Sequence, residues 1–256
     1  MMTGPAPMSR MERLKIVDEI AERLHVVYGE QILAIGLYGS TARGEDGPYS
    51  DIEMFCVLRE SEESVDLIHE WSTDAWTAAV DVCNEGALLE KASSMTWEWP
   101  LSHGPYFNHL GLYDPEGFFP KLKEAAQSLS AEDFRVAVSE VIACALFEYT
   151  GKLRNANLHG PASYLPYLAM EIAKYGAYLL GLHHRKIFSS GAKVLPEALE
   201  LPNRPRGFDQ VAAMVMSGRL DDGEHIFSAC EQFWSGLTEW AKENEYRISS
   251  ERRIPF

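Results

Sequence analysis

The stretch that decides the fold runs Ile32-Leu-Ala-Ile-Gly-Leu-Tyr-Gly-Ser-Thr-Ala-Arg-Gly44 and resumes, after a short loop, at Ser50-Asp-Ile-Glu53. Ile32 to Tyr38 is apolar almost throughout, the pattern of a strand with neighbours on both sides. Gly39-Ser40 turns out of it and opens a helix. Backbone N–H groups at such a helix start can hold a phosphate, and a glycine lets the backbone come close. Ser40 adds a hydroxyl and Arg43 a guanidinium. Asp51 to Leu58 reads as a second strand, with Ile52, Met54, Cys56 and Leu58 on one face. Asp51 and Glu53 begin the other face. Carboxylates spaced i, i+2 on a strand point the same way, and they repel unless a cation lies between them. Mg²⁺ favours a few carboxylates plus phosphate oxygens. Together these features suit a nucleoside triphosphate carried with a metal. A P-loop, a GxGxxG fingerprint, a kinase set, HExxH and GxSxG are all absent.

Outward from this centre, Ser9 and Glu12 form a capping box, and Leu14, Val17, Ile20, Ala21 and Leu24 follow at helical spacing up to Gly29. After the second strand comes a charged turn, Arg59 to Ser64. Val65 to Trp71 and Trp76 to Cys83 predict two strands around Ser72-Thr73-Asp74. Glu85 to Ser93 predicts a short helix, and Trp97 to Tyr113 a mixed segment with strand-like ends around His103. Beyond Pro115 the period becomes helical: Phe118 to Ala126, Glu132 to Asn157, Ser163 to His183, Pro196 to Leu199, Phe208 to Met216 and Asp222 to Asn244. Strands followed by helices predict an α+β protein. The expected architecture is a mixed β-sheet with helices over residues 1–128 and a helical bundle over residues 129–256.

The chain has 256 residues, of which 46% are hydrophobic and 24% charged, so it can bury a core without disulfide or metal staples. Lys+Arg 23 against Asp+Glu 38 leaves a net charge of −15, which disfavours nucleic acid and favours a cationic partner. Cys56, Cys83, Cys144 and Cys230 form no metal-binding cluster and read as buried thiols in a reducing cytoplasm. No signal peptide is evident. No membrane span is expected either, since Glu171 and Lys174 interrupt the most apolar run, Tyr164 to Leu182.

Gly-Ser, a short helix, then Asp-x-Asp/Glu resembles the signature of the DNA polymerase β-like nucleotidyltransferase superfamily. Further stretches resemble the aminoglycoside 4′-O-nucleotidyltransferases, the kanamycin nucleotidyltransferase family. They are Ala34 to Ser40, Asp46 to Met54, Trp99 to Gly104, Leu146 to Lys152, Gly181 to Arg185 and Arg252 to Phe256, which together span nearly the whole chain. The resemblance implies transfer of AMP from Mg-ATP, or another nucleoside triphosphate, to an aminoglycoside 4′-hydroxyl. It further implies a homodimer whose sites combine the N-terminal domain of one subunit with helices of the other.

On this resemblance Asp51 and Glu53 are the metal ligands, and Gly39, Ser40, Arg43, Ser50, Lys152 and Ser190 bind nucleotide. Glu148 is the general base on the antibiotic. Read from the residues alone, Glu70 in His69-Glu-Trp71 suits a contact to the cationic drug and a solvated strand acid equally well. Glu148 lies in an apolar helical run, which suggests partial burial and a raised pKa. Lys152 follows it by i+4, a spacing that ordinary helical ion pairs share. Two departures stand out. The family's third carboxylate aligns with Ala79, two residues before Asp81, so Asp81 is expected to take over part of that role. Family acids just before Glu148 are replaced by Cys144 and Ala145. His103 and the pair His183-His184 read as structural. Two alternatives stay open: a nucleotidyltransferase with another acceptor, such as a protein side chain or RNA end, and a non-catalytic nucleotide-binding or antitoxin-like module.

Overall fold

A computed structural model describes residues 4–61, 64–73 and 75–247. The Arg252 to Phe256 stretch and Asp74 lie outside the described residues. Two compact units emerge, one from residues 1–94 with 103–129, the other from 95–102 with 130–256.

The first unit opens with α1 (Arg10–Tyr28), started by the Ser9/Glu12 capping box and stopped at Gly29. Strand β1 (Ile32–Tyr38) follows, then the one-and-a-half-turn α2 (Gly39–Arg43). Next come β2 (Ile52–Leu58), β3 (Asp66–Ser72), β4 (Thr77–Asn84) and helix α3 (Glu85–Ser93). The sheet order is β3-β4-β2-β1-β5, where β5 is Leu110–Tyr113. The β2–β4 pair is parallel and the other pairs are antiparallel.

Period-two alternation divides the sheet into two faces. Ile52, Met54, Cys56, Leu58, Val80 and Val82 pack with Val17, Ile20 and Leu24 of α1. On the opposite face Tyr38, Phe55, Val57 and Cys83 pack with Leu88 and Ala92 of α3 and with Phe118, Phe119 and Leu122 of α6 (Phe118–Gln127). A Cβ on Gly36 of β1 would lie 2.6 Å from the Phe119 ring, so the close approach of α6 to the sheet depends on glycine there.

The expected strand-like start of the Trp97 to Tyr113 segment is instead helical: α4 (Trp99–Ser102) and α5 (Gly104–Phe107) precede β5. Trp99 is buried edge-on against Phe134, which favours a compact turn over an extended run.

The second unit is helical. One long rod is formed by α7 (Ala131–Glu140), a π segment at Val141–Leu146 and α8 (Phe147–His159). The central helix α9 (Leu165–His184) is buried along most of its length and is surrounded by α8, α10 (Val194–Glu200), α11 (Phe208–Met216) and α12 (Gly223–Glu243). Among the described residues no helix is long and apolar enough to cross a membrane. Cys144, expected to be buried, is exposed, because Val141, Ile142, Ala145 and Leu146 take the inward side of the π segment.

Candidate active site

The sheet register assembles the first half of the site. Tyr38 pairs with Glu53, Glu53 with Ala79, and Ala79 with Glu70, so these four residues form one row across the sheet. Phe55 pairs with Asp81 one step further along. Laterally paired residues share a face, so Glu53, Asp81 and Glu70 project from the same side, with only the Ala79 methyl between Glu53 and Glu70. Asp51 sits exposed just ahead of β2, two residues from Glu53.

The Gly-Ser turn lies directly against Glu53. Gly39 has φ +70°, and a Cβ there would lie 1.8 Å from Glu53 Oε2. Any other residue at 39 would be strained in its backbone and would collide with the carboxylate. Ser40 is half-buried in the first turn of α2, and Gly44 in a left-handed conformation closes that helix. Arg43 donates from Nε to Glu45 Oε2 at 3.1 Å.

Glu53 carries the main electrostatic signature. Burial first, then the Asp51 charge, with Asp81 adding and Arg43 opposing, pushes its carboxyl up to about 7. A cation at this face would relieve that repulsion and hold Glu53 ionised. The donors are hard oxygens, as Mg²⁺ prefers. Among the described residues no group of three or more acidic, His or Cys side chains is placed to hold a metal ion.

The loop before Asp51 is pinned from α1 by a group the sequence reading missed. Arg13, 1% exposed, donates from Nε to the Ser50 carbonyl at 3.0 Å and from Nη2 to the Gly47 and Pro48 carbonyls at 3.0 and 3.2 Å. It also pairs with the buried Asp46 carboxylate, which Arg10 reaches from its other oxygen. The Ser50 hydroxyl accepts the Gly47 N–H at 3.0 Å, so Ser50 is a loop residue as well as a candidate ligand. The signal was present in the sequence: Arg13 occupies the apolar stripe that continues as Val17, Ile20 and Leu24.

The second half lies on α8. Lys152 Nζ meets Glu148 Oε1 at 2.6 Å, and this hydrogen bond raises the lysine pKa. The Lys152 ammonium also stands 5.3 Å from the Tyr149 ring centre. Glu148 is not partly buried as expected: its side chain is 63% exposed. Thr150, Leu153 and Ala156 carry the inward face of α8 and leave Glu148 pointing outward. Ser190 is half-buried before a short 3-10 turn, beside Ser189, whose hydroxyl and N–H bond Glu197. His183 shares a 2.7 Å hydrogen bond with the Tyr246 hydroxyl, and His184 Nε2 contacts the Pro202 carbonyl at 2.8 Å, so both act in packing.

A Gly-Ser turn packed against Glu53, with Asp51 just ahead of the same strand, is an arrangement that would suit nucleotidyl transfer. The comparisons are more specific. Residues 116–247 match the family described as KNTase C-terminal domain. Two curated relatives, from Staphylococcus aureus and from a Bacillus species, are each named aminoglycoside nucleotidyltransferase (4′). Each is 44% identical over 255 residues, covering 100% of this chain and 100% of its own. The chain belongs to the aminoglycoside 4′-nucleotidyltransferase family and is an enzyme. A solved nucleotidyltransferase-like protein from Exiguobacterium sibiricum aligns at a TM-score of 0.49 and 11% identity, covering 94% of this chain and 82% of that one, a likeness too slight to carry weight.

Proposed function

We propose that the enzyme transfers AMP from Mg-ATP, or the monophosphate of another nucleoside triphosphate, to the 4′-hydroxyl of aminoglycosides such as kanamycin or tobramycin. Pyrophosphate is the leaving group. The observation that carries this reading is Glu53 packed on Gly39 beside Asp51, in a chain 44% identical over its full length to relatives named for this reaction.

In this reading Asp51 and Glu53 hold Mg²⁺, which neutralises triphosphate charge when bound. Asp81 supplies a third negative charge on the same face. Ser40, Arg43 and the backbone N–H groups of α2 orient the phosphates, with Ser50 and Ser190 as further hydroxyl contacts. Lys152 offsets phosphate charge, and Glu148 accepts the proton of the attacking sugar hydroxyl. Glu70, exposed on β3, faces the ammonium groups of the drug. The net charge of −15 supports a polycationic acceptor over nucleic acid. The domain boundary falls near Leu129, with residues 95–102 counted in the helical domain, the enzyme works in the cytoplasm as a homodimer, and each site draws its strand half and its helix half from different subunits.

The test is to incubate the protein with Mg-ATP and tobramycin and read the drug by mass spectrometry. One added AMP with pyrophosphate release, and no product from gentamicin components lacking the 4′-hydroxyl, is the expected result. Nucleotide binding with no product from any aminoglycoside contradicts it and favours another acceptor.

A further inference from the structure

Tyr38 has no place in the chemistry so far, yet it is closely engaged on the acidic face of the sheet. It is only 9% exposed, and its hydroxyl donates to Asp81 Oδ2 at 2.7 Å. The bond spans three strands, since Tyr38 lies on β1 and Asp81 on β4, with β2 between them. The ring is fixed as well. It stacks on Phe55 at 4.4 Å between centroids, and Phe55 stacks on Tyr106 at 6.2 Å. Phe55 is the residue paired with Asp81, so the hydroxyl reaches the carboxylate across the very side chain that supports its own ring.

The geometry explains why Asp81 needs such a partner. Ala79, level with Glu53, carries no carboxylate, and Asp81 lies two residues further along β4, roughly 7 Å at ordinary strand rise. An aspartate there can swing between rotamers, and only some of them keep its charge near Glu53. The Tyr38 hydroxyl removes that freedom through one oxygen and leaves the other without this bond. The donor is neutral, so the negative charge stays on the face instead of being cancelled, as a lysine or arginine partner would do. Burial of the phenol, with the Asp81 charge beside it, also raises the Tyr38 pKa, so it remains a donor throughout the neutral range.

We infer that Tyr38 is a positioning residue that holds the Asp81 charge on the face it shares with Glu53, where that charge strengthens the field on the cation site. The inference rests on the reading that Asp51 and Glu53 hold a divalent cation with the nucleotide. It predicts a cation-affinity effect transmitted through a residue that never touches the cation.

The experiment measures Mn²⁺ binding by electron paramagnetic resonance in the presence of a non-hydrolysable ATP analogue. The proteins compared are the parent, Tyr38→Phe, Asp81→Asn, the double variant and Glu53→Gln. Tyr38→Phe keeps the ring stack on Phe55, and a thermal melt confirms that it folds. The expected result is Mn²⁺ affinity about 3–10-fold weaker in Tyr38→Phe, as for loss of one hydrogen bond to a charged group. Asp81→Asn should be at least as weak, and the double variant no weaker than Asp81→Asn alone. A Tyr38→Phe protein that binds Mn²⁺ like the parent while Asp81→Asn is impaired overturns the positioning role. If neither variant is affected but Glu53→Gln is, Asp81 has no part in the site and the inference fails while the proposed function stands. If Glu53→Gln also binds Mn²⁺ normally, the underlying reading of the cation site is wrong.

Discussion

The strand half and the helix half of the site are built in opposite ways. Glu53 is partly buried, rests on the Gly39 α-carbon and lies on the same sheet face as Asp81, which Tyr38 anchors. The loop leading to Asp51 is tied down by the buried Arg13–Asp46 pair. Glu148 and Lys152 have side chains 63% and 44% exposed, and their closest ionic partner is each other, one helical turn apart. The strand half is organised by the fold of a single unit. The helix half presents its groups on an outer surface, where whatever lies against it sets their environment. A site that must hold two anions against each other needs rigid support, whereas a base that meets an incoming hydroxyl needs access.

Substitutions can break that contrast, starting with the largest expected effect. Asp51→Asn or Glu53→Gln should lower kcat/KM by about 10⁴-fold, since metal-based charge stabilisation supplies several kcal/mol. Steady-state kinetics with tobramycin checks this. Glu148→Gln should cost ~10²–10³-fold in kcat, within the range for loss of a general base. Its nucleotide affinity and Tm should stay unchanged, as expected for an exposed helical position. A marked fall in Tm would mean that Glu148 is structural and the contrast is false.

Arg13→Met sharpens the comparison through stability. It removes one of the two guanidinium partners of the Asp46 carboxylate, which is 2% exposed and keeps Arg10, and it frees the Ser50, Gly47 and Pro48 carbonyls, so unfolding should become easier by about 1.5–3 kcal/mol. Lys152→Met, on the exposed half, should shift stability by less than ~0.5 kcal/mol. Chemical denaturation of the two variants reads the difference directly.

A smaller effect than that of Arg13→Met concerns pH. Glu53 titrates near 4.5 when unfolded but at about 7 in the fold, so the folded state binds the extra proton between these values. Its contribution to stability is therefore lost as pH rises from 4.5 to about 7 in the absence of divalent cation. Glu53→Gln should then melt about 2–4 °C above the parent at pH 7.5 in chelator, the shift expected for ~1 kcal/mol in a chain of this size. The two should converge near pH 4.5. His103 acts in the opposite sense. Burial lowers it from 6.5 to about 4, so its contribution is complete above 6.5 and is lost as pH falls towards 4.

The strand half was the more legible part in the sequence, for a physical reason. Alternation over Ile52 to Leu58 fixes which side Glu53 faces, and the β2–β4 register then places Asp81 on the same side. The Ser9/Glu12 cap and the stop at Gly29 were equally direct, being local hydrogen-bond chemistry. What depends on distant partners could not be read. Nothing near Tyr38 in the chain announces a bond to Asp81, 43 residues away. The π segment shifts the helical phase just before Glu148, so an apolar neighbourhood in sequence became an exposed position in space. The short helices at Trp99 and Gly104 were hidden among aromatic residues that would suit a strand equally well.

The most direct test of the division between the two halves is complementation. Glu53→Gln and Glu148→Gln proteins are each inactive in their own half, so they are mixed, allowed to exchange subunits, and assayed for tobramycin adenylylation. If each site takes its strand half from one subunit and its helix half from the other, random re-pairing makes half the dimers mixed, each with one intact site. Activity should then recover to about a quarter of the parent level. Activity that stays at the level of the separate variants after confirmed exchange would contradict the account.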